Sequence, residues 1–484
     1  MELVLVIGYG ISLFFLFLFS LSQLHLTLVY IKSKHKKRII PTELTDYPAV
    51  TVQLPVYNEK YVVERLIRAV ALFDYPKDKL EIQILDDSTD ETTSIIEEAI
   101  QPLKLQGLNI QVIHRENRDG FKAGALDKGF QSSSGEFIAI FDADFIPPPD
   151  FLRKTLPYFA NPQTGVVQTR WAHINKDYSL LTQLQAFGLD AHFSIEQHAR
   201  QESGSFINFN GTCGVWRKAT IADAGGWRFD TLTEDLELSY RAQLKKWKFI
   251  YLEDVSTPGE LPVVMPAIKS QQYRWNKGGA ETARIHFLSV LKSNESWTTK
   301  IHAFFHLFNS SVFIGLLVAA LLSVPMLYIK YSHPAWINLF RAGSVFLLGF
   351  FSITFFYWIS TRQFYSHPGR TFVRLYPQFL MVSMGLSLHN GLAVLEGLLG
   401  RKTSFIRTPK FNITTSHDSW KENVYVKTQL TPFFYGEAIL CIYFLFGIGL
   451  GVYLNDWGLL FFHALLAFGF GFVCYYTLKP RFHG

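Results

Sequence analysis

Apolar residues in this chain are spread unevenly. One long apolar run fills residues 3–31, and others occupy most of the sequence after residue 300. The stretch between them carries nearly all the acidic residues. A helix needs about 20 apolar residues to cross a hydrocarbon core about 30 Å thick, and these runs are long enough. The pattern therefore predicts a water-facing domain set between membrane segments, and 484 residues leave room for both.

The first run is too long for a signal-peptide core. No basic residues precede it and no small-residue cleavage site follows, so it reads as a membrane anchor. Lys32, Lys34, Lys36, Lys37 and Arg38 follow directly. Basic flanks mark the cytoplasmic side, which places the next domain in the cytoplasm and the N-terminus outside. Further spans are expected at residues 303–329, 335–360, 432–454 and 457–478. Residues 372–399 are apolar too, but contain Arg374, Gln378, His389, Asn390 and Glu396 and have basic residues on both sides. As an interfacial helix they would keep both flanks cytoplasmic; as a sixth crossing they would not. The expected division is an anchor at 1–31, a cytoplasmic domain at 40–298 and a membrane region at 299–484. Prokaryotic cells would carry it in the inner membrane and eukaryotic cells in the Golgi, with membrane lipids as partners.

The net charge of +6 sits largely in short runs beside apolar stretches. Nucleic-acid binding needs a broader basic patch, so it is not expected. Cys213, Cys441 and Cys474 are too far apart in sequence for a metal knuckle and form no disulfide framework.

In the central region, short apolar strands at 50–55, 80–85, 109–114 and 136–141 alternate with helical stretches at 62–72, 92–102 and from Lys122. This alternation predicts a parallel α/β sheet. Ligands bind at the carboxyl ends of such strands. Asp86, Asp87, Asp142 and Asp144 each stand just after a strand and so at that edge.

Four acidic or mixed motifs follow from this placement. Asp142-Ala143-Asp144 can hold a hard cation, Mg²⁺ or Mn²⁺, shared with substrate phosphates; it also reads as a turn before Pro147–Pro149. Asp87 can bond a ribose hydroxyl or base edge, while Ser88 or Asp90 caps the next helix. Asp235 opens a helix that runs to Leu244. It can take a proton from an acceptor hydroxyl, or simply complement the helix dipole. Gln271, Arg274 and Trp275 share one helix face and suit sugar hydroxyls, phosphate and a sugar ring; Arg and Trp are also common at a membrane boundary.

In that order and spacing the motifs resemble those of processive family-2 glycosyltransferases, the group of cellulose, chitin and hyaluronan synthases. That pattern runs D, D-x-D, T/E-D, Q-x-x-R-W. Here it is Asp87, Asp142-Ala143-Asp144, Glu234-Asp235 and Gln271-Gln272-Tyr273-Arg274-Trp275. Phe209-Asn210-Gly211-Thr212, Gly225-Gly226-Trp227, Trp247-Lys248-Phe249 and Glu260-Leu261-Pro262 look most like cellulose-synthase-like mannan and glucan synthases. Pro55-Val56-Tyr57-Asn58-Glu59 resembles the loop near the nucleotide base. His114-Arg115 and Lys122-Ala123-Gly124-Ala125-Leu126 resemble a second donor segment. Phe405-Ile406-Arg407-Thr408-Pro409-Lys410 resembles the F-x-V-T-x-K gating loop, with Arg407 in place of the valine.

The resemblance implies a GT-A (Rossmann-like) domain joined to transmembrane helices. It implies inverting hexosyl transfer from GDP-mannose or UDP-glucose to a growing β-linked polysaccharide, coupled to export. In the roles it implies, Asp87, Asp142, Asp144, Tyr57, Glu59 and Lys122 bind the donor, with Asp142 and Asp144 on the metal. Asp235 is the base; Gln271, Arg274 and Trp275 bind the acceptor; Phe405, Thr408 and Lys410 belong to the gating loop. Similar Q-x-x-R-W motifs occur in enzymes that add one sugar to a ceramide- or glyceride-like lipid, so a glycolipid acceptor stays open.

Overall fold

A computed structural model describes residues 1–36, 41, 46–403, 405–415, 417–425 and 429–482. Lys37, Arg38 and residue 40, the expected start of the cytoplasmic domain, lie outside the described residues.

The central region folds around one seven-stranded sheet. Its strands are β1 (Val50–Val56), β2 (Leu80–Asp86), β3 (Asn109–His114), β4 (Phe137–Ile140), β5 (Thr164–His173), β6 (Gly214–Arg217) and β7 (Lys248–Gly259). Their order across the sheet is β3-β2-β1-β4-β6-β5-β7. β1, β2 and β4 are buried along nearly their whole length, as their Val/Ile/Leu-rich sequences require when helices cover both faces. The order reverses between β1 and β4, which opens a crevice at their carboxyl ends.

The sheet differs from the all-parallel expectation at one strand. β6 runs antiparallel to both β4 and β5, with Ile140 opposite Gly214 and Phe137 opposite Arg217. Four residues are too few to show a periodicity, so the sequence carried no sign of it. The chain enters β6 through a tight turn in which Gly211 and Cys213 both have positive φ, +77° and +60°.

Among the described residues, five helical segments are long and apolar enough to cross a membrane: Glu2–Ser33, Asn309–Ser332, Pro334–Phe364, Pro432–Tyr453 and Leu460–Arg481. The expected span at 303–329 begins later than its hydropathy suggests. Residues up to Leu307 belong to a separate helix, Trp297–Leu307, and the polar run Asn309–Ser311 forms a tighter turn between the two. The stretch around 372–399 is two helices, Pro368–Gly385 and Ser387–Leu398, bent by 51°. Its first half packs on the Leu460–Leu478 helix, where a Cβ on Gly385 would lie 2.3 Å from Gly469 O. Its second half packs on the Met265–Lys292 helix, where a Cβ on Gly397 would lie 2.5 Å from Lys277 O. On another side of that helix, a Cβ on Gly278 would lie 2.8 Å from Thr233 N. The helix bearing Gln271, Arg274 and Trp275 is thus pressed between the α/β domain and the membrane-region helices.

Candidate active site

The carboxyl ends of β1, β2 and β4 face two adjoining pockets of about 110 and 120 Å³. Tyr57, Glu59 and Asp87 line one, and Asp235, Gln271 and Trp275 line the other. Lys122, Asp142, Asp144, Arg274, Phe405 and Lys410 line both, and Thr408 lines the first. Every site residue singled out from the sequence therefore lies at this one cleft, although the sequence spreads them over some 350 positions.

Asp142 and Asp144 follow β4. The Asp142 N–H donates to Thr212 Oγ1 at 2.9 Å, which ties the motif to the Gly211 turn. Each carboxylate touches an ammonium: Lys122 Nζ lies 2.5 Å from Asp142 Oδ1, and Lys410 Nζ lies 2.5 Å from Asp144 Oδ2. Lys122 also donates to Gly211 O at 2.9 Å. Burial works to lower its pKa, but Asp142, Glu234 and Asp235 together outweigh this and raise it. No group of three or more metal-ligating side chains occurs among the described residues. Two neighbouring carboxylates, each already carrying a cation, fit Mg²⁺ or Mn²⁺ that takes its other oxygens from phosphate and water.

Glu234 and Asp235 form the first turn of the Glu234–Leu244 helix, where the helix dipole favours negative charge. Burial wins. It pushes Asp235 up to about 7, helped by the charge of Glu234 and opposed by Lys122. Asp235 Oδ1 accepts from the Leu236 N–H at 2.8 Å. A Cβ on Gly211 would lie 3.1 Å from Asp235 Oδ2, so this glycine supplies both the turn and the room beside the carboxylate.

Arg274 reaches Thr408 Oγ1 at 2.8 Å and lies 4.7 Å from the Phe405 ring centre. Trp275 lies 6.4 Å from Trp171, which in turn contacts Phe145. These rings form an aromatic wall of the kind that suits the apolar face of a sugar. The chain from Phe405 to Asn412 lies across the cleft as a strap. Glu260 accepts from the Phe411 and Asn412 N–H groups at 2.8 and 3.0 Å, and Arg407 pairs with Glu59 at 2.7 Å.

Other side chains complete the cleft. Arg115 grips Asp87 through two bonds, Nε at 2.7 Å and Nη2 at 2.5 Å. Arg118 lies over the Tyr57 ring at 3.3 Å. Trp171 and Glu260 line the cleft. Arg115 and Glu260 stand in motifs the resemblance already marked; Arg118 follows β3 and Trp171 lies near the end of β5, so the strand-end rule could have found these two as well. Of the two caps expected for the helix after β2, Asp90 is the one that bonds its first N–H. Asp90 Oδ1 accepts from the Thr92 N–H at 3.0 Å, while Ser88 Oγ is engaged by the Asn58 N–H at 2.9 Å.

Sequence comparison agrees with this geometry. The profile described as Glycosyl transferase family 2 matches residues 51–222, and Glycosyl transferase family group 2 matches residues 137–362. Glucomannan 4-beta-mannosyltransferase 2 of Arabidopsis thaliana is 43% identical over 256 residues, covering 52% of this chain and 48% of that protein. Glucomannan 4-beta-mannosyltransferase 9 of the same plant is 33% identical over 421 residues, covering 84% of this chain and 74% of that protein. The chain thus spans about half the length of the first relative and about three quarters of the second. Among solved structures, the mannosyltransferase PcManGT from Pyrobaculum calidifontis, in complex with GDP-Man and Mn2+, has a TM-score of 0.54 at 20% identity. The match covers 81% of this chain and 100% of that one, and is a likeness of fold. On the identity to these relatives and the GT-A sheet, this membrane protein belongs to glycosyl transferase family 2, in its cellulose-synthase-like branch.

Proposed function

We propose that the chain is an inverting hexosyltransferase that moves mannose or glucose from GDP-mannose or UDP-glucose onto a growing β-linked polysaccharide. One observation carries this reading: Lys122, Asp142, Asp144, Arg274 and a half-buried Asp235, its pKa raised to about 7, converge on one cleft. The names of the relatives favour mannose as the sugar.

Asp235 takes the proton of the acceptor hydroxyl, whose oxygen attacks the anomeric carbon as the bond to the diphosphate breaks. A single base without a nucleophilic intermediate inverts that carbon, so an α-linked donor gives a β-linked product. Lys122 and Arg274 bear the negative charge of the leaving diphosphate. Asp142 and Asp144 would hold Mg²⁺ or Mn²⁺, which neutralises diphosphate when bound. Asp87 and Tyr57 bind the nucleoside, and Gln271 and Trp275 seat the acceptor end. Phe405, Thr408 and Lys410 close the cleft from the strap.

The catalytic domain faces the cytoplasm in this reading. The bent pair Pro368–Gly385 and Ser387–Leu398 stays at that face, because its second half packs on the helix that carries Trp275. The spanning helices beside it give the polymer its way out of the cell or into the Golgi lumen. Purified protein, divalent cation and a panel of radiolabelled nucleotide sugars test the reading. A polymer degraded by a β-specific glycanase is expected. A single labelled glycolipid would replace the acceptor assignment, and no transfer from any donor would refute the enzyme.

A further inference from the structure

Four carboxylates line the pocket beyond β1 and β2: Glu59, Asp87, Asp142 and Asp144. Three are already held by hydrogen bonds from Arg115, Lys122 and Lys410. Glu59 is different. Its side chain is 11% exposed, and its Oε2 lies 2.7 Å from Arg407 Nη1 as an ion pair. Beyond that contact, Glu59 Oε2 and both terminal nitrogens of Arg407 lack a hydrogen-bond partner among the described residues. Burial pushes the Glu59 carboxyl up to about 7, as expected for an acid short of donors. The flat pair of Tyr57 and Arg118 lines the same pocket.

A carboxylate beside a guanidinium presents a row of polar groups: acceptor, acceptor, donor. We propose that Glu59 and Arg407 read the base of the donor nucleotide and select guanine. Guanine offers the complementary row, with its N2 amino group and N1–H donating to the two Glu59 oxygens and its O6 accepting from Arg407. Uracil offers O2, N3–H and O4, which sets one of its carbonyl oxygens against a carboxylate oxygen. Hypoxanthine keeps N1–H and O6 but lacks the amino group. The inference rests on the nucleotide-donor reading above and adds the base and the residues that recognise it.

The test measures binding of GDP, IDP and UDP to the purified full-length protein by calorimetry with Mg²⁺ present. Wild-type protein binds GDP at least tenfold more tightly than IDP or UDP, in line with about 1–3 kcal/mol per well-made bidentate contact. Glu59→Gln loses at least tenfold in GDP affinity and erases the difference between GDP and IDP. It leaves UDP binding within about twofold, a fold-change too small to count as a lost contact. Arg407→Leu weakens GDP and IDP alike. Equal binding of GDP and UDP by the wild-type protein overturns the base assignment while leaving nucleotide-dependent transfer intact. So does an equal loss for all three nucleotides in Glu59→Gln. Absence of binding by any nucleoside diphosphate overturns both this assignment and the donor reading. The wild-type comparison of GDP with IDP decides the matter even where a variant does not fold.

Discussion

Replacing Asp235 with Asn is expected to stabilise the protein while abolishing transfer, and the gain should depend on pH. Burial holds the Asp235 carboxyl at about 7, against an ordinary 3.8. Between those values the folded chain keeps a proton that the unfolded chain has lost. Stability therefore falls as pH rises through this window, by about 1.4 kcal/mol per unit, and levels off above the folded value. From about pH 5.5 to about pH 8.5 the wild-type protein loses about 2 kcal/mol at this site, a figure set by the part of the window that lies above the lower pH. The Asn variant has no such proton and loses nothing there. Glu234, relieved of its neighbour's charge, shifts the balance the same way. For a domain of about 250 residues, 1 kcal/mol corresponds to about 2 °C in Tm, so the gap between variant and wild type should widen by about 4 °C. Thermal unfolding of both proteins in detergent at the two pH values measures it, and the difference of differences cancels any fixed effect of the amide. A gap that stays constant or narrows with rising pH would refute the placement of an acid with a raised pKa at this position. Transfer by the variant at wild-type rate would refute its role as base. Wild-type transfer itself should climb with pH through about 7, as the carboxylate is freed to accept a proton.

Three other outcomes follow from the same geometry. Chelation with EDTA should stop transfer yet leave Tm unchanged, because Lys122 and Lys410 already neutralise Asp142 and Asp144; added Mn²⁺ or Mg²⁺ should restore activity. Asp87→Ala strands the Arg115 guanidinium, which is only 11% exposed, and should cost about 3–5 kcal/mol in thermal unfolding, part of which Asp87→Ala with Arg115→Met recovers. Gly278→Ala drives a methyl group against Thr233 N and should cost about 1–3 kcal/mol together with most of the activity, read by unfolding and by transfer from labelled donor.

Asp87 and Asp142-Ala143-Asp144 could be read from the sequence because each stands next to a strand whose apolar run is unmistakable, whereas Glu234-Asp235 opens a helix and was legible only through its order among the other motifs. Val50–Val56 and Leu80–Asp86 sit in the sheet much as their composition demands. β6 was hidden by its length, and its reversed direction is a product of the connection through the Leu180–Ala191 helix and the turn at Gly211 rather than of its four residues. The pairings hidden in the sequence are those between distant segments. Lys410 and Asp144 stand 266 positions apart. Arg407 and Glu59 are also far apart, and only folding shows that the strap returns to the cleft. The spanning helices were legible as hydropathy, but the break at Asn309–Ser311 and the 51° bend were not, since both arise from packing and local polar geometry.

The helix with Trp275 meets Thr233 at Gly278 and the Ser387–Leu398 helix at Gly397, in both cases at backbone distance. At Gly278 the methyl and hydroxyl of Thr233 lie as close as its N–H, and at Gly397 the Ala280 methyl lies beside Lys277 O, so only short side chains fill either contact. Only short side chains set the reach from Asp235 to the membrane-region helices, which leaves it little room to stretch, like the gauge of a rail. In the polymer synthesis proposed above, each new sugar would meet the same frame as the last, and the product would be what advances.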